Sequence, residues 1–487
     1  MTAMHWTTRL LSLIQKIEPL GSFVHTERLT NVPQLLPHVT IDGVGRLGFP
    51  MLDVVVNKLI ENSEKAPYGK LDQTLMDTQV RDAWQIDSTK ITIGGGDTWT
   101  TYFNQIVRRH CFHLGISNER FDALDVQANL YKLLIYEKDG HFLTHRDTEK
   151  EPRMFGTLLL QLPTSDGFQG GELTVSHHGD TRSINLSIDS DNEFQTVSFY
   201  ADCEHELHPI TDGNRVCLVY NLVATLPENK ISTTIPSPNV NIDTESKLGL
   251  ICDDWRNSDL KRISKIGHQL EHKYTHQSIG YSTLKGRDEV IMTTLRNARN
   301  NEGTRLFQVS ILLMQHHFDD NYKTDECENV VSPFVVIEET ADGSWDRKMI
   351  CDGPSPSDWD MVCHSKGGWW LMPNVDLKTV ISEYSKAATG KEFSESNPDA
   401  TGDKKSTENM DDGEDDEEEE RCYWYLDDEG FEGYEIPSDR KMFLSTCDVI
   451  SKENGYNGND GGSHETFYYS AALVFCPLIN IPCKKRK

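Results

Sequence analysis

Short apolar runs separated by turn residues dominate the chain between residues 130 and 225. The runs are rich in Leu, Val and aromatic residues, and Gly, Asp, Ser and Pro lie between them, which is the pattern of short β-strands. Several strands at this spacing are typical of a sandwich or a barrel and not of a parallel α/β sheet. The predicted strands are Tyr131–Tyr136, Gly156–Leu162, Glu172–Ser176, Gln195–Tyr200 and Arg215–Leu222.

Helical periodicity is present on either side of these strands. Residues 51–65 place their apolar positions on one face, and residues 99–114 predict a helix that ends at Gly115. Residues 256–276 also predict a helix, and histidines recur in it every four residues, at positions 268, 272 and 276. No carboxylate completes the pattern of a helical metal site, so an ordinary amphipathic helix is the favoured interpretation.

The pattern after residue 225 is more mixed. Residues 226–242 contain three prolines and predict a linker. Residues 304–318 fit either a helix or a strand, and residues 330–337 fit an edge strand that a proline interrupts. The block from Asp411 to Glu420 holds nine acidic residues and one glycine, which predicts disorder. An apolar strand, SAALVFCPLI, is expected near the C-terminus.

These patterns divide the chain into five predicted segments, with a mainly β fold that also contains helices (α+β). They are an N-terminal α+β extension (1–90), a β-rich core (91–225), a C-terminal mixed α/β region (226–395), an acidic disordered linker (396–421) and a strand-rich C-terminal segment (422–487).

Composition and charge narrow the class of partner. The 487 residues include 48 Lys and Arg against 77 Asp and Glu, a net charge of −29, which disfavours nucleic acid or an anionic membrane as partner. No apolar run approaches the ~18 residues of a membrane span, and no secretory signal is evident. We therefore expect an intracellular protein, cytoplasmic or nuclear. The basic run Lys484–Lys487 matches a nuclear import signal, but a short basic tail without that role is the favoured interpretation.

Two histidines and one carboxylate stand out as candidate metal ligands. His145 and Asp147 lie two residues apart at a predicted strand, where alternation turns both side chains to one face, and His205 follows after a gap of 57 residues. This is the ligand set of a non-haem Fe(II) oxygenase, which leaves three coordination positions open. The eleven cysteines contain no CxxC pair, which argues against a structural zinc site. The alternative is a barrel whose core happens to contain histidines.

Two further residues are candidates for binding a cosubstrate. Arg215 begins the strand that follows His205, and its planar guanidinium suits a carboxylate better than lysine does. Tyr136, nine residues before His145, is a candidate hydroxyl donor to the same carboxylate.

At these residues the sequence resembles the Fe(II)/2-oxoglutarate oxygenases of the prolyl 4-hydroxylase class. The matching elements are HRD at the first histidine, GGEL on a following strand, and HELHPITDGNRVCL around the second histidine and the arginine. Segments outside the core, such as DTQVRDAWQI and YYSAALVF, resemble a large eukaryotic, notably fungal, subgroup. The resemblance implies a double-stranded β-helix, or jelly-roll, oxygenase core at residues 91–225.

The resemblance also implies a function. His145, Asp147 and His205 match the iron ligands, Arg215 matches the 2-oxoglutarate arginine, and Tyr136 matches a cosubstrate-binding tyrosine. The implied cofactors are Fe(II), 2-oxoglutarate and O2, with ascorbate as a reductant. The implied reaction is hydroxylation of a target, with a protein or peptide side chain as the leading substrate class. A small molecule or nucleobase as substrate, and a non-catalytic scaffold that keeps the barrel, remain alternatives.

Overall fold

Two hydrophobic clusters organise the protein, and each is built around its own β-sheets. The computed structural model describes residues 6–29, 37–70, 73–225, 242–257, 263–275, 278–300, 302–321, 327–339, 345–349, 368–372, 448–454 and 463–478. We call the part that contains residues 24–225 the core module. The helix before it and the elements after it form the second module.

Helices are few among the described residues. The predicted helices at 51–65 and 99–114 are confirmed, with the first shorter and the second beginning three residues earlier. The described α-helices are α1 (Trp6–Gln15), α2 (Asp53–Glu61), α3 (Gly96–His113), α4 (Asn118–Leu124), α5 (Ile242–Asn257) and α6 (Gly286–Asn297).

Strands make up most of the core module, and all five predicted strands are confirmed within two residues at the C-terminal end and within five at the N-terminal end. In chain order they are β1 (Val24–Leu29), β2 (His38–Ile41), β3 (Gly45–Arg46), β4 (Glu64–Lys65), β5 (Tyr68–Lys70), β6 (Gln73–Leu75), β7 (Arg81–Asp82), β8 (Trp84–Asp87), β9 (Ile91–Gly94), β10 (Val126–Tyr136), β11 (His141–His145), β12 (Met154–Leu162), β13 (Phe168–Gly170), β14 (Leu173–His177), β15 (Asp180–Ile184), β16 (Phe194–Tyr200), β17 (Glu204–Leu207), β18 (Ile210–Gly213) and β19 (Arg215–Ala224).

Two antiparallel sheets form the body of the core module. The larger has the order β1-β16-β12-β19-β10-β8-β4 and the smaller has the order β15-β14-β17-β11-β7. Side chains from both sheets belong to one hydrophobic cluster. Strands from before and after residue 90 share these sheets, and the predicted segment boundaries stay predictions. The expectation of a mainly β fold with helices is confirmed.

The strands at the centre of the larger sheet are buried along their whole length. Every residue of β12, β16 and β19 is buried, because α3 packs on this sheet in addition to the smaller sheet's side chains. The helix is fixed to β16 by His110, whose two ring nitrogens contact the hydroxyls of Ser198 and Thr196 at 2.7 Å. Burial on both faces explains why these strands appear in the sequence as continuous apolar runs.

The second module surrounds one mixed sheet with helices α1, α5 and α6. Its strands are β20 (Ile263–Gln269), β21 (Phe307–Asn321), β22 (Cys327–Glu339), β23 (Trp345–Met349), β24 (Gly368–Met372), β25 (Asp448–Asn454) and β26 (Ser463–Pro477). The sheet order is β23-β22-β21-β26-β20-β24, and β25 also pairs with β26. The apolar C-terminal strand is thereby confirmed, and the predicted segment 304–318 forms a strand from Phe307 onward.

The prediction of a helix over residues 256–276 is wrong. Helix α5 ends at Asn257 and β20 follows, because Ile266, His268 and Leu270 are buried at the spacing of two that a strand requires. His272 lies beyond that strand, and His276 falls outside the described residues. The histidines at positions 268 and 272 therefore do not line one face of a helix.

The edge-strand prediction for residues 330–337 is partly wrong. Strand β22 pairs with β21 on one side and, from Val335 to Glu339, with β23 on the other. Pro333 lies in the part that pairs with β21 alone, where a missing N–H is tolerated. The predicted linker at 226–242, apart from Ile242, which begins α5, lies outside the described residues, as do the acidic block and the basic terminus.

Gly213 shapes the turn that leads into β19. Its φ is +73°, and a Cβ placed there would lie 2.9 Å from the Cα of Phe168 and closer still to the carbonyl oxygen of Gly167. Gly179 also has a positive φ, +85°, but a Cβ there would meet nothing within 4 Å. Substitution of Gly179 therefore tests the backbone strain of a positive φ alone, whereas substitution of Gly213 adds a steric clash.

We predict that Gly213→Ala destabilises the protein more than Gly179→Ala does. Both substitutions lose about 1–2 kcal/mol from the left-handed backbone, and only Gly213→Ala adds a clash of about 1–3 kcal/mol against backbone atoms. Urea unfolding of both full-length variants, followed by tryptophan fluorescence, measures the difference. Equal losses of unfolding free energy would show that the turn relaxes without cost.

Candidate metal centre

The structure brings His145, Asp147 and His205 together. His145 is the last residue of β11 and pairs directly with His205 on β17, so the two ring centroids lie 4.1 Å apart. Asp147 follows two residues after His145, and its Oδ1 lies 3.8 Å from His205 Nε2. One potential ligand atom from each of the three residues lies within 4.8 Å of the others.

Backbone carbonyls fix how the two imidazoles face each other. The Nδ1 of His145 is 2.8 Å from the Leu143 carbonyl, and the Nδ1 of His205 is 3.1 Å from the Cys203 carbonyl. A carbonyl oxygen can only accept, so Nδ1 is the protonated nitrogen in both rings. Each Nε2 therefore has its lone pair free for a ligand-binding role, as is usual for histidines at metal sites.

The carboxylate of Asp147 is held in a similar way. Its Oδ2 accepts a hydrogen bond of 2.5 Å from the Thr157 hydroxyl, and its backbone N–H donates to the Ala201 carbonyl at 3.1 Å. Burial opposes ionisation, but His205, His145 and the Thr157 hydrogen bond together lower the pKa of Asp147 below its usual value. The group is therefore an anion with one oxygen directed at the histidines.

Aromatic rings enclose the imidazoles. Phe142 stacks on His145 at 3.4 Å between centroids, and Phe199 packs against His205 at 4.6 Å. Burial, and after it the neighbouring His205, lowers the pKa of His145, so this ring is neutral at physiological pH. Two imidazoles beside an ionised carboxylate form a donor set that fits a divalent metal such as Fe(II).

Arg215 is buried with an unsatisfied donor. The side chain is 2% exposed, its Nε donates to Gln161 Oε1 at 3.0 Å, and its Nη2 has no hydrogen-bond partner among the described residues. Tyr136 pairs with Arg215 across the sheet, and the guanidinium lies 5.6 Å from its ring centroid. A buried cation with a free N–H fits the carboxylate of a ligand.

Strand β12 links the arginine to the candidate ligands. Thr157, which binds Asp147, and Gln161, which binds Arg215, are four residues apart and therefore share one face of the strand. At about 3.3 Å per residue they are roughly 13 Å apart. Arg215 and the candidate metal ligand Asp147 are thus both bound from the same face of β12.

Thr157 and Gln161 were missed in the sequence analysis, although a signal was present. They are the only two residues with hydrogen-bonding side chains in MFGTLLLQL, a run in which every position is buried. A buried polar side chain in an apolar strand requires a partner, and the spacing of four places both partners on one face.

Two other groups of His and carboxylate side chains come together among the described residues, His25–Glu27–His110 and His177–Asp202–His272. In the first group the ring nitrogens of His110 contact hydroxyls, and Glu27 forms a bidentate pair with Arg109. In the second group the ammonium of Lys285 lies 2.9 Å from Asp202. Both carboxylates are already neutralised by a protein cation, unlike that of Asp147.

None of the described helices is long and apolar enough to cross a membrane.

Comparisons with known proteins found similarity only among solved structures. No protein-family model matches, and no curated protein matches. A 2OG-Fe(II) oxygenase family oxidoreductase from Burkholderia pseudomallei is 16% identical, with 37% of this chain and 82% of that chain covered and a TM-score of 0.23. A prolyl-4-hydroxylase from Pseudomonas putida is 14% identical, with 45% and 100% covered and a TM-score of 0.25.

A third similar structure is a prolyl hydroxylase from Trichoplax adhaerens, solved in complex with a peptide fragment of the hypoxia inducible factor oxygen degradation domain. It is 14% identical, with 48% of this chain and 98% of that chain covered and a TM-score of 0.27. These values are too low to support a conclusion about function, so the geometry of the site must support it alone.

We predict that His110 contributes to the acid sensitivity of the metal-free protein. Burial, and secondly the neighbouring His25, lowers the pKa of His110 from 6.5 to about 3. Between pH 6.5 and pH 3, His110 is therefore protonated in the unfolded chain but neutral in the folded protein. The unfolding free energy then falls by up to about 1.4 kcal/mol per pH unit as the pH drops towards 3.

The test is a comparison with His110→Gln, whose amide can still bond to the two hydroxyls but does not titrate. Urea unfolding at several pH values between 7 and 4 should give a shallower pH dependence for this variant than for wild type. Parallel curves would contradict the assignment.

Proposed function

We propose that the protein is an Fe(II)- and 2-oxoglutarate-dependent dioxygenase that hydroxylates a protein side chain. The observation that carries the proposal is the convergence of His145, Asp147 and His205, with ligand atoms within 4.8 Å of one another. The unsatisfied guanidinium nitrogen of Arg215 supports it, because a dicarboxylic cosubstrate would supply the missing acceptor.

The connectivity of the core module supports a jelly-roll oxygenase fold. From β10 to β12 the chain passes from the larger sheet to the smaller and back, and it does so again from β16 through β17 to β19. Alternation of successive strands between two facing sheets is the connectivity of a double-layered roll. Two proposed ligands, His145 and His205, lie on strands of the smaller sheet, and Asp147 follows two residues after β11; the proposed cosubstrate residues lie on the larger sheet.

In this proposal Fe(II) and 2-oxoglutarate supply the oxidising chemistry: one atom of O2 enters the substrate and the other enters succinate, with loss of CO2. The protein's part is binding and orientation. His145 and His205 would offer Nε2 lone pairs, and Asp147 would offer Oδ1 while Thr157 holds its other oxygen. Ligands confined to one side of the metal leave positions for cosubstrate and O2.

Arg215 would bind the distal carboxylate of 2-oxoglutarate. Gln161 occupies its Nε, which leaves Nη2 to face the ligand. Tyr136 is assigned a supporting role at the same carboxylate; burial raises the pKa of its phenol, so the hydroxyl keeps its proton and can donate. Ascorbate as a reductant and an intracellular location stay predictions, as does the choice of a protein over a small molecule as substrate.

We predict that His145→Ala abolishes conversion of 2-oxoglutarate to succinate, measured with Fe(II) and ascorbate and without a substrate. The loss of one of three ligands removes the metal on which turnover depends. His141→Ala is the matched control, because His141 lies on the same strand but its two ring nitrogens contact the carbonyls of Asp139 and Gln79. Turnover that persists in His145→Ala would remove this residue from the ligand set.

We predict that Arg215→Ala raises the 2-oxoglutarate KM at least about 30-fold while metal binding is retained. Loss of a buried charged hydrogen-bond partner costs about 2 kcal/mol or more, which corresponds to this factor. Arg28→Ala serves as the control, because Arg28 is an exposed arginine paired with Asp189 at 2.6 Å. An unchanged KM would assign the carboxylate to another cation.

A further inference from the structure

A three-residue turn orients two of the three proposed metal ligands. Residues 201–203 connect β16 to β17, with Asp202 at the centre. The carbonyl of Ala201 accepts the backbone N–H of Asp147 at 3.1 Å, and the carbonyl of Cys203 accepts Nδ1 of His205 at 3.1 Å. The two carbonyls on either side of Asp202 therefore set the placement of the carboxylate and of one imidazole.

The second module holds this turn by the side chain of Asp202. The ammonium of Lys285 lies 2.9 Å from Oδ1, Nδ1 of His272 lies 3.0 Å from Oδ2, and the backbone N–H of Lys273 donates to Oδ2 at 2.9 Å. The side chains of Asp202, His272 and Lys285 are 7%, 3% and 4% exposed. A carboxylate buried this deeply depends on its partners, because little of its charge is solvated by bulk water.

Further contacts from the second module reach the segments that flank the ligands. The hydroxyl of Thr275 donates to Glu149 Oε2 at 2.8 Å, two residues beyond Asp147. The backbone N–H of Gly286 donates to the hydroxyl of Tyr200 at 3.3 Å, one residue before the turn. Both chain segments that carry the proposed ligands are thus fixed by the second module.

The group around Asp202 is closed to a metal ion of its own. Both carboxylate oxygens already have donors, and one of them is an ammonium. His272 stacks on His177 at 4.2 Å, and its Nε2 faces the backbone of Gly286, where an added Cβ would approach within 2.8 Å. The group is therefore a contact between modules and not a second metal site.

We propose that Lys285 and His272 are positioning residues for the metal centre. By holding Asp202 they fix the turn whose carbonyls orient Asp147 and His205, so docking of the second module sets the metal affinity of the core module. This role rests on the function proposed above. It gives the second module a part in the chemistry, although the three proposed ligands all lie in the core module.

The test uses the full chain with Co(II) alone, in the absence of 2-oxoglutarate, so that affinity is measured independently of turnover. Lys285→Met removes the ammonium and leaves a side chain of similar length. Partners that orient metal ligands typically contribute 10–100-fold to affinity, so we expect Co(II) binding to weaken about ten-fold or more. The Co(II) absorption spectrum should also change, because the ligand geometry is altered.

Arg120→Met is the matched control for loss of a buried cation at the same junction. Arg120 lies on α4, donates to the carbonyls of Ser282 and Leu284 at 2.6 and 2.8 Å, and pairs with Glu289. It makes no hydrogen bond to the turn at Asp202. We expect this variant to lose thermal stability as Lys285→Met does, but to keep the wild-type Co(II) affinity and spectrum.

Wild-type affinity in Lys285→Met, or an equal loss of affinity in Arg120→Met, would overturn the positioning role. If Lys285→Met does not fold, Asp202→Asn removes the same ion pair with little change in shape and should show the same weakening. His145→Ala separates the two proposals. Co(II) binding that does not require His145 overturns the metal centre itself, whereas binding that requires His145 but not Lys285 overturns only the positioning role.

Discussion

The pairing of β11 with β17 is the constraint on which the site depends. It places His145 directly opposite His205, although the two residues are 60 positions apart in the sequence. Because side chains alternate along a strand, a slip of one residue would turn His205 to the other face of the sheet. The register is held from the other side as well, where β14 pairs with β17 and places Val175 opposite His205.

Burial gives the same site its chemical character. A guanidinium N–H without an acceptor and imidazoles packed against phenylalanine rings are costly in a protein interior unless they serve a ligand. The larger sheet can carry this cost because three of its strands are buried throughout and add their apolar side chains to the hydrophobic cluster. The apolar strands next to the site therefore stabilise the fold, and the polar side chains of the site do not.

The sequence predicted those elements whose pattern is local. The continuously buried strands and the HxD motif follow from short runs of residues, and so did the candidate ligands at 145, 147 and 205. The helix predicted at 256–276 failed because the buried alternation of Ile266, His268 and Leu270 spans only five residues, while the histidine spacing of four also fitted a helix. The contact of Asp202 with Lys285 could not be predicted, since 83 residues separate the partners and neither has a distinctive neighbourhood.

The second module is built from segments that lie before and after the core module in the chain. Helix α1 precedes the core module, yet its Trp6 stacks on Trp255 of α5 at 4.8 Å, and both belong to the hydrophobic cluster of the second module. The core module is therefore an insertion between two parts that must pack together. Because the residues that hold Asp202 come from this same packed unit, the turn beside the proposed ligands is fully supported only when segments from before and after the core module have joined.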